Sequence, residues 1–288
     1  MKHLTIKQFF DKYKDDDTCL EHIMKCRYGL SGECPKCHKQ TNYSKVTSQR
    51  AYACQWCGWH VYPCVGTPFE RSSTSLVLWF YAIYLFTTNR SGVSAMELKR
   101  QLGVTYKTAW RMAKEIRIHM SKVDGDEKLT GVVEIDETMY GGKRSGKRGR
   151  GAENKTVVTG MMEKSGELMT KVVPNIKKKT LQTIIENNIE KGSELHTDEL
   201  LSYTGLKDKG YVHKRVNHGD KQYVNGDCQV NGIEGFWARL KLSIQGTHVH
   251  VSPKYLLNYV REFEYRFNSR HQPQQMFDES VSRYQPLS

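Results

Sequence analysis

Three carboxylates in the C-terminal half of the chain are spaced as if to hold a divalent metal. Asp136 and Asp198 each end a predicted β-strand, and Glu234 lies on a predicted helix further along. Magnesium binds oxygen ligands, usually one or two carboxylates together with phosphate oxygens and waters. Two such ions about 4 Å apart can activate an attacking oxygen and stabilise the leaving oxygen of a phosphodiester. Without metal, repulsion between the carboxylates should leave them splayed or partly protonated.

The predicted helix that carries Glu234 has two different faces. Its apolar arc is a core-facing stripe that consists of Ile233, Phe236, Trp237, Leu240 and Ile244. The neighbouring arc consists of Asn231, Glu234, Ala238, Lys241 and Gln245. Glu234 and Lys241 lie on one line about two turns, or roughly 10 Å, apart, and the small Ala238 leaves space between them. This arc suits a phosphate backbone with a metal at its acidic end.

Each of the three acids also has an ordinary structural interpretation. Asp136 could be a turn residue, and Asp198 could cap a short helix over residues 199–203. Glu234 could complete a capping box with Asn231 at the start of its own helix. On that helix alone, the cap and the metal ligand explain the residues equally well. Three acids at such positions in an otherwise basic domain favour the metal site.

Four cysteines near the N-terminus have the spacing of a zinc ribbon. They form two knuckles, Cys34 with Cys37 and Cys54 with Cys57, and in such ribbons each knuckle donates two thiolates to one tetrahedral ion. The alternative is four reduced thiols without metal, in a segment too small to build its own core. Cys64 is a substitute ligand outside the paired spacing. Basic residues are frequent in the ribbon, where they could bind a partner or form a solvated face: Lys36, Lys39, Lys45 and Arg50.

The segment after the ribbon is predicted to be helical. Residues 72–75 can cap an apolar helix that continues to Phe86, and residues 94–117 have the pattern of two helices joined at Gly103. The second of these helices presents a basic outer face, as on a helix that reads a DNA groove: Tyr106, Lys107, Arg111 and Lys114. We therefore predict a helix-turn-helix. The alternative is a simple packing bundle.

Three predicted strands, a helix, a further strand and carboxylate-bearing helices follow, an order that indicates an α/β fold with a mixed sheet. A glycine-rich loop after the first strand carries further basic residues predicted to bind phosphates: Lys143, Arg144, Lys147, Arg148 and Arg150. We divide the chain into a helical lead-in (1–33), a zinc ribbon (34–70), a helical DNA-binding segment (72–122) and a catalytic domain (128–288).

The composition favours an acidic polymer as partner. The 288 residues have a formal net charge of +13 and a pI near 9.3. The longest apolar run, residues 76–86, is too short to span a bilayer, and the basic N-terminus has no apolar signal core. We therefore expect a cytoplasmic protein without a membrane partner, in which eight cysteines indicate metal rather than disulfides.

Together these motifs resemble the bacterial insertion-sequence transposases of the DDE class, in particular the subgroup with an N-terminal zinc ribbon and a short, uninterrupted catalytic domain. The shared motifs are the cysteine knuckles and residues 134–138, 196–198 and 231–241. The resemblance implies a ribonuclease-H-like catalytic domain that uses Mg²⁺ or Mn²⁺. It also implies that Asp136, Asp198 and Glu234 form the acidic triad, with Lys241 as the basic residue after the third acid. Some relatives use an asparagine as the third residue, which makes Asn231 an alternative.

The resemblance implies movement of a DNA element bounded by terminal inverted repeats. The expected partners are double-stranded DNA, as element ends and target, and a second copy of the chain, because two ends must be paired; on DNA the protein would be nucleoid-associated. Two other functions are considered, a DNA-binding regulator with an inactive catalytic domain and a ribonuclease-H-like structure-specific nuclease. The presence of all three acids argues against an inactive catalytic domain. The two separate basic modules, the ribbon and the helix pair, argue against a structure-specific nuclease.

Overall fold

The computed structural model describes residues 4–123, 127–141, 155–164, 166–216 and 230–283. The chain forms two compact units, one of Met1–Val123 with Ser269–Ser288 and the other of Asp124–Asn268. Both helices and sheets are present, so the predicted mixed α/β class is confirmed. The predicted catalytic domain, residues 128–288, includes the last helix, whereas the second compact unit ends at Asn268 and the last helix packs within the first unit.

The helices of the described residues are α1 (Ile6–Lys12), α2 (Asp16–Arg27), α3 (Leu76–Thr88), α4 (Ala95–Leu102), α5 (Tyr106–Val123), α6 (Lys178–Asn188), α7 (Asn231–Ser243), α8 (Pro253–Asn268) and α9 (Pro273–Ser282). The strands are β1 (Ser31–Glu33), β2 (Gln40–Val46), β3 (Ala51–Cys54), β4 (His60–Val61), β5 (Val132–Tyr140), β6 (Thr156–Glu163), β7 (Leu168–Val173), β8 (Glu194–Thr197) and β9 (Val212–Arg215).

The first unit contains a small antiparallel sheet with the strand order β1-β2-β3-β4. The first cysteine knuckle lies in the turn from β1 to β2, and the second begins at the end of β3 and lies in the turn to β4. Because both turns are short, the pairing of these strands determines where the thiols can meet.

An aromatic core holds the helices of the first unit together. Helix α3 is apolar on all sides and is buried accordingly, with Trp79 and Phe80 completely inaccessible to solvent. Phe80 packs against Tyr13 of the lead-in segment and against Phe277 of α9, which also contacts Phe9 of α1. The lead-in is therefore part of this core. No described helix is both long enough and apolar enough to cross a membrane.

Helix α3 is capped by a residue from another helix rather than by its own serines. Ser75 is the N-cap position but makes no side-chain cap bond. Instead, Asp16 of α2 accepts hydrogen bonds from the Ser75 hydroxyl at 2.6 Å and from the Val77 N–H at 3.2 Å. Arg50 donates to the other carboxylate oxygen of Asp16 at 2.9 Å.

The second unit is built on a five-stranded mixed sheet with the order β7-β6-β5-β8-β9. Strands β5, β6 and β7 are antiparallel, whereas β8 runs parallel to both β5 and β9. One face packs against α6 through a cluster that includes Val133, Ile135 and Leu195. The other face packs against α7 and α8 through a cluster that includes Val158 and Met162.

Helix α8 protects the exposed edge of this sheet, which is strand β7. The Asn268 side chain accepts from the Leu168 N–H and donates to the Leu168 carbonyl, both at 2.9 Å. The Glu264 carboxylate accepts from the Thr170 N–H at 2.8 Å. These contacts satisfy the outward-facing groups of β7, which would otherwise be available to pair with another chain.

Candidate active site

The sheet brings Asp136 and Asp198 to neighbouring positions. Strands β5 and β8 are parallel, with Glu134 paired to His196, and the two aspartates each lie two residues further along. Asp198 directly follows β8 as predicted. Asp136 is neither a strand end nor a turn residue, because β5 continues to Tyr140 through its pairing with β6. Side chains alternate between the faces of a strand. Because Val133, Ile135 and Leu195 pack toward α6, the two aspartates lie on the opposite face, the one covered by α7.

Helix α7 places Glu234 on the same side of the sheet. The predicted apolar stripe of α7 is buried in full, and the predicted polar arc is exposed, including Glu234, Ala238 and Lys241. Gly160 of β6 pairs with Asp136, and a Cβ added at Gly160 would lie 2.6 Å from the Trp237 ring. Only glycine allows α7 to approach the sheet this closely beside Asp136.

The electrostatics of Asp136 reflect the charges gathered around it. Burial, together with the charges of Asp198 and Glu234, raises the pKa of Asp136 to about 6, although the Glu137 N–H and the Lys241 charge oppose the rise. The other three predicted site residues, Asp198, Glu234 and Lys241, are therefore within electrostatic reach of Asp136. The carboxylate oxygens of Asp136, Asp198 and Glu234 do not all lie within 4.8 Å of one another. Among the described residues, the four cysteines of the knuckles form the only group of three or more potential metal ligands that are this close together.

Asp198 also has a local structural contact. One carboxylate oxygen accepts a hydrogen bond from the Leu200 N–H at 2.9 Å, just before the short 3₁₀ helix Leu201–Tyr203. The predicted capping interpretation is thus correct in part. A carboxylate has two oxygens and several lone pairs, so this turn is compatible with metal binding.

The capping box proposed for Glu234 is not formed. Helix α7 begins at Asn231 with Val230 as N-cap, and valine has no polar side chain that could cap a helix. The cap comes from Glu134 of β5, whose buried carboxylate accepts from the Ile233 N–H at 3.0 Å. A Cβ added at Gly232 would lie 2.8 Å from the same oxygen, so glycine is needed there as well.

Glu134 is a site residue that sequence reasoning did not identify. Burial raises the pKa of the Glu134 carboxyl, and the N–H groups of Ile233 and Gly232 oppose that rise. An acid at the positive end of a helix is favourable, and this contact attaches α7 to the strand that carries Asp136. Two features could have indicated it: Glu134 shares the strand face of Asp136, and a glycine occupies the first turn of α7.

The cysteine knuckles meet as predicted. The sulfurs of Cys34, Cys37, Cys54 and Cys57 all lie within 4.8 Å of one another, with Cys34 and Cys57 separated by 3.6 Å and Cys37 and Cys54 by 3.9 Å. A tetrahedral ion with Zn–S bonds near 2.3 Å requires sulfurs about 3.8 Å apart. The four thiols therefore fit zinc, and the described cysteines form no disulfide. Cys64 is buried outside this group.

The comparisons with known proteins agree on one class. Residues 128–268 match the ISXO2-like transposase domain family. A transposase-like protein of Haemophilus influenzae is 31% identical over 103 residues, which cover 36% of this chain and 82% of that protein. A protein in the transposable element ISH50 of Halobacterium salinarum is 28% identical over 253 residues, covering 81% of this chain and 84% of the relative. The chain belongs to the insertion-sequence transposases of the DDE class.

The family match covers the structural elements that carry the transposase's three acids. It begins before β5, ends with α8, and coincides closely with the second compact unit, Asp124–Asn268. The ribbon and the helices of the first unit lie outside the matched segment.

The transposase's helix pair has the predicted turn. Gly103 adopts a left-handed conformation with φ of 65° at the end of α4, and Thr105 accepts from the Thr108 N–H at 3.2 Å at the start of α5. Residues predicted to face inward are buried: Leu98, Leu102, Ala109, Met112 and Ile116. Ser94 caps α4 by accepting from the Glu97 N–H at 3.1 Å, and the Glu97 carboxylate binds Gln101 and Arg100.

The predicted DNA-reading face of α5 is largely exposed, and two of its four residues, Arg111 and Lys114, contact other side chains of the protein. Tyr106 and Lys107 are exposed, and Lys114 lies 3.8 Å from Glu115. Arg111 donates to the Ser72 hydroxyl at 3.0 Å, and its guanidinium lies 5.5 Å from the Trp79 ring centroid. The basic loop residues Lys143, Arg144, Lys147, Arg148 and Arg150 lie outside the described residues.

Proposed function

We propose that this transposase binds the terminal inverted repeats of an insertion sequence and catalyses metal-dependent cleavage and transfer of DNA strands. The observation that carries the proposal is the position of Asp136, which lies beside Asp198 in the sheet and has its pKa raised by burial and by the charges of Asp198 and Glu234. Buried carboxylates held near one another are costly unless they serve a purpose such as metal binding.

The donor set fits a hard divalent cation. Asp136, Asp198 and Glu234 would supply carboxylate oxygens to Mg²⁺ or Mn²⁺, leaving other positions for water and phosphate oxygens. When bound, such ions activate the attacking oxygen and stabilise the leaving oxygen of the phosphodiester. Asp136 and Asp198 are half-buried and would contribute from the sheet, whereas the exposed Glu234 would contribute from α7.

The exposed arc of α7 would receive the DNA end. Lys241 lies on this arc two turns after Glu234, with Ala238 between them, so its ammonium can contact a phosphate of the strand held at the acids. A lysine contacts phosphate as a point charge, which suits positioning rather than metal binding. The strand order, with Asp136 within β5 and Asp198 directly after the neighbouring β8, supports a ribonuclease-H-like assignment for this unit.

End recognition is assigned to the first unit. Exposed Tyr106 and Lys107 of α5 suit contacts with a DNA groove, and Arg111 and Lys114 extend the same face. The ribbon, folded around one zinc ion, is a second basic module. The loop that contains Lys143, Arg144, Lys147, Arg148 and Arg150 would add affinity for phosphates without sequence preference.

The test is strand cleavage of a duplex that contains an element end, with Mg²⁺ or Mn²⁺. Asp136→Asn, Asp198→Asn and Glu234→Gln should each lower the cleavage rate by several orders of magnitude while folding and end binding are preserved. Glu199→Gln is the matched control, because Glu199 is an exposed acid next to Asp198, and it should cleave at the wild-type rate.

Lys241→Ala provides a separate measurement. It should weaken engagement of the cleaved end and slow strand transfer, and leave metal affinity unchanged. A Glu234→Gln protein that cleaves at a near wild-type rate would refute the proposed triad. Asn231, one turn earlier on the same arc, would then be the next candidate for the third ligand.

A further inference from the structure

The ribbon exposes aromatic rings that its own folding does not use. Trp56 and Trp59 are 59% and 43% exposed and Tyr62 is 44% exposed, whereas Trp79 and Trp237 are 0% and 3% exposed. Isolated exposed apolar residues are common. Here, however, three exposed aromatic rings lie within one seven-residue stretch of a small sheet.

Each exposed tryptophan has a lysine from the other knuckle beside it. The Lys36 ammonium lies 5.6 Å from the Trp59 ring centroid, and the Lys39 ammonium lies 5.6 Å from the Trp56 ring centroid. The Trp56 indole also donates a hydrogen bond to the Gln40 carbonyl at 2.8 Å, which limits its rotation. Because the cysteines of both knuckles meet, the rings and ammonium groups are held in one arrangement.

We propose that this aromatic face, formed by Trp56, Trp59, Tyr62, Lys36 and Lys39, binds unpaired bases of single-stranded DNA. Proteins that bind single strands combine aromatic rings, on which successive bases stack, with cations that contact the intervening phosphates. A base would stack on the exposed part of each ring, and the ammonium that lies over the ring would contact the phosphate of that base. The base faces of intact duplex DNA are covered by neighbouring base pairs, so this face prefers unpaired bases.

This inference adds a second kind of DNA contact to the proposed function and does not depend on it. Groove reading by α5 and metal chemistry at the acids concern duplex ends, whereas the aromatic face concerns bases that have left the duplex. Variants of Asp136 that fail to cleave should therefore bind single strands like the wild type, and the two proposals can fail separately.

Fluorescence anisotropy with the full-length, zinc-loaded chain tests the proposal with three labelled probes of equal length. The probes are an oligothymidylate, a duplex, and an abasic strand that keeps the phosphates but lacks bases. The wild type should bind the oligothymidylate more tightly than the abasic strand. Trp56→Ala and Trp59→Ala should each weaken oligothymidylate binding roughly 5- to 150-fold, with little change for the duplex.

Matched variants separate stacking from charge and from misfolding. Trp56→Phe and Trp59→Phe should retain most of the affinity, since a smaller ring still stacks. Phe10→Ala is the aromatic control, because Phe10 is 45% exposed on α1, and should have no effect. Lys36→Ala with Lys39→Ala should reduce the slope of log affinity against log salt by about 0.7 per lysine. Zinc content of each variant reports whether the ribbon is intact.

Three results would overturn the proposal. The first is equal affinity of the wild type for the oligothymidylate and the abasic strand, which would indicate phosphate attraction alone. The second is equal loss on single-stranded and duplex probes in the alanine variants, which would indicate general DNA contact. The third is wild-type binding by alanine variants that retain zinc, which would leave the rings as a protein-binding surface. If the alanine variants lose zinc, the abasic comparison on the wild type decides.

Discussion

Replacing Asp136 by asparagine should make the metal-free protein more stable at neutral pH. The folded pKa of Asp136 is about 6, above its ordinary value of 3.8, so between these pH values the folded state holds a proton that the unfolded state has released. Stability from this group is therefore fully present below pH 4 and is lost as pH rises toward 6. The difference between the two pKa values corresponds to about 3 kcal/mol at pH 7 or above. Asparagine is neutral at every pH and avoids this loss.

Urea unfolding in buffer free of divalent cations, followed at pH 5 and pH 8, measures the effect. The stability of Asp136→Asn relative to wild type should rise by about 1.4 kcal/mol between these pH values, since the unfolded carboxyl has already released its proton at pH 5 and about half of the loss has occurred there. Adding Mg²⁺ at pH 8 should stabilise the wild type by binding to its folded state and have little effect on the variant. A difference in stability that is the same at both pH values would refute the reasoning, because Asp136 would then not carry the charge penalty attributed to it.

Three further predictions concern the contacts around α7, the ribbon and the helix pair. Gly232→Ala should destabilise the protein by about 1–2 kcal/mol in urea unfolding, because its Cβ would displace the Glu134 carboxylate and sacrifice a charged hydrogen bond. Gly235→Ala, whose Cβ would come no closer than 3.7 Å to Arg239, should stabilise the protein by about 0.5–1 kcal/mol through helix propensity. If both substitutions change the stability in the same direction, Glu134 does not cap α7. Cys34→Ser should release about one zinc per chain and unfold the ribbon, while the melting temperature of the second unit stays unchanged. This prediction would be contradicted if elemental analysis found no zinc in protein that had not been treated with a chelator. Arg111→Ala should lower the ratio of specific to random DNA binding in competition assays; unchanged specificity would mean that α5 only packs.

The features that could be predicted from the sequence are those encoded within a short segment. The two faces of α7 follow from the spacing of its own residues, and the knuckles follow from cysteine spacing that only a metal explains well. The turn at Gly103 follows from the conformation that glycine alone adopts readily. In each case the residues that determine the structure lie within a few turns or a few positions of one another.

The end of the catalytic domain could not be predicted in this way. Helix α9 has an apolar stripe that includes Met276, Phe277 and Val281, and all three residues are buried. Such a stripe requires a core but does not specify which one. Here Phe277 packs against Phe9 and Phe80 of the first unit, so a segment that follows the second unit in sequence belongs to the first in space.

The capping of α7 could not be predicted for a similar reason, since its acceptor is distant in sequence, and this affects the candidate site itself. The sequence favours a cap within the helix, at Asn231 and Glu234, but the acceptor is Glu134 of β5, 99 positions from Ile233 in the chain. Helix α3 is likewise capped by Asp16 of another helix. Because Glu134 and Asp136 share one face of β5, a single strand both holds the first turn of α7 and presents a carboxylate beside it. The position of Glu234 relative to Asp136 therefore depends on a noncovalent contact between strand β5 and helix α7. The same contact gives Glu134 a different environment from that of Asp136 on the same strand face.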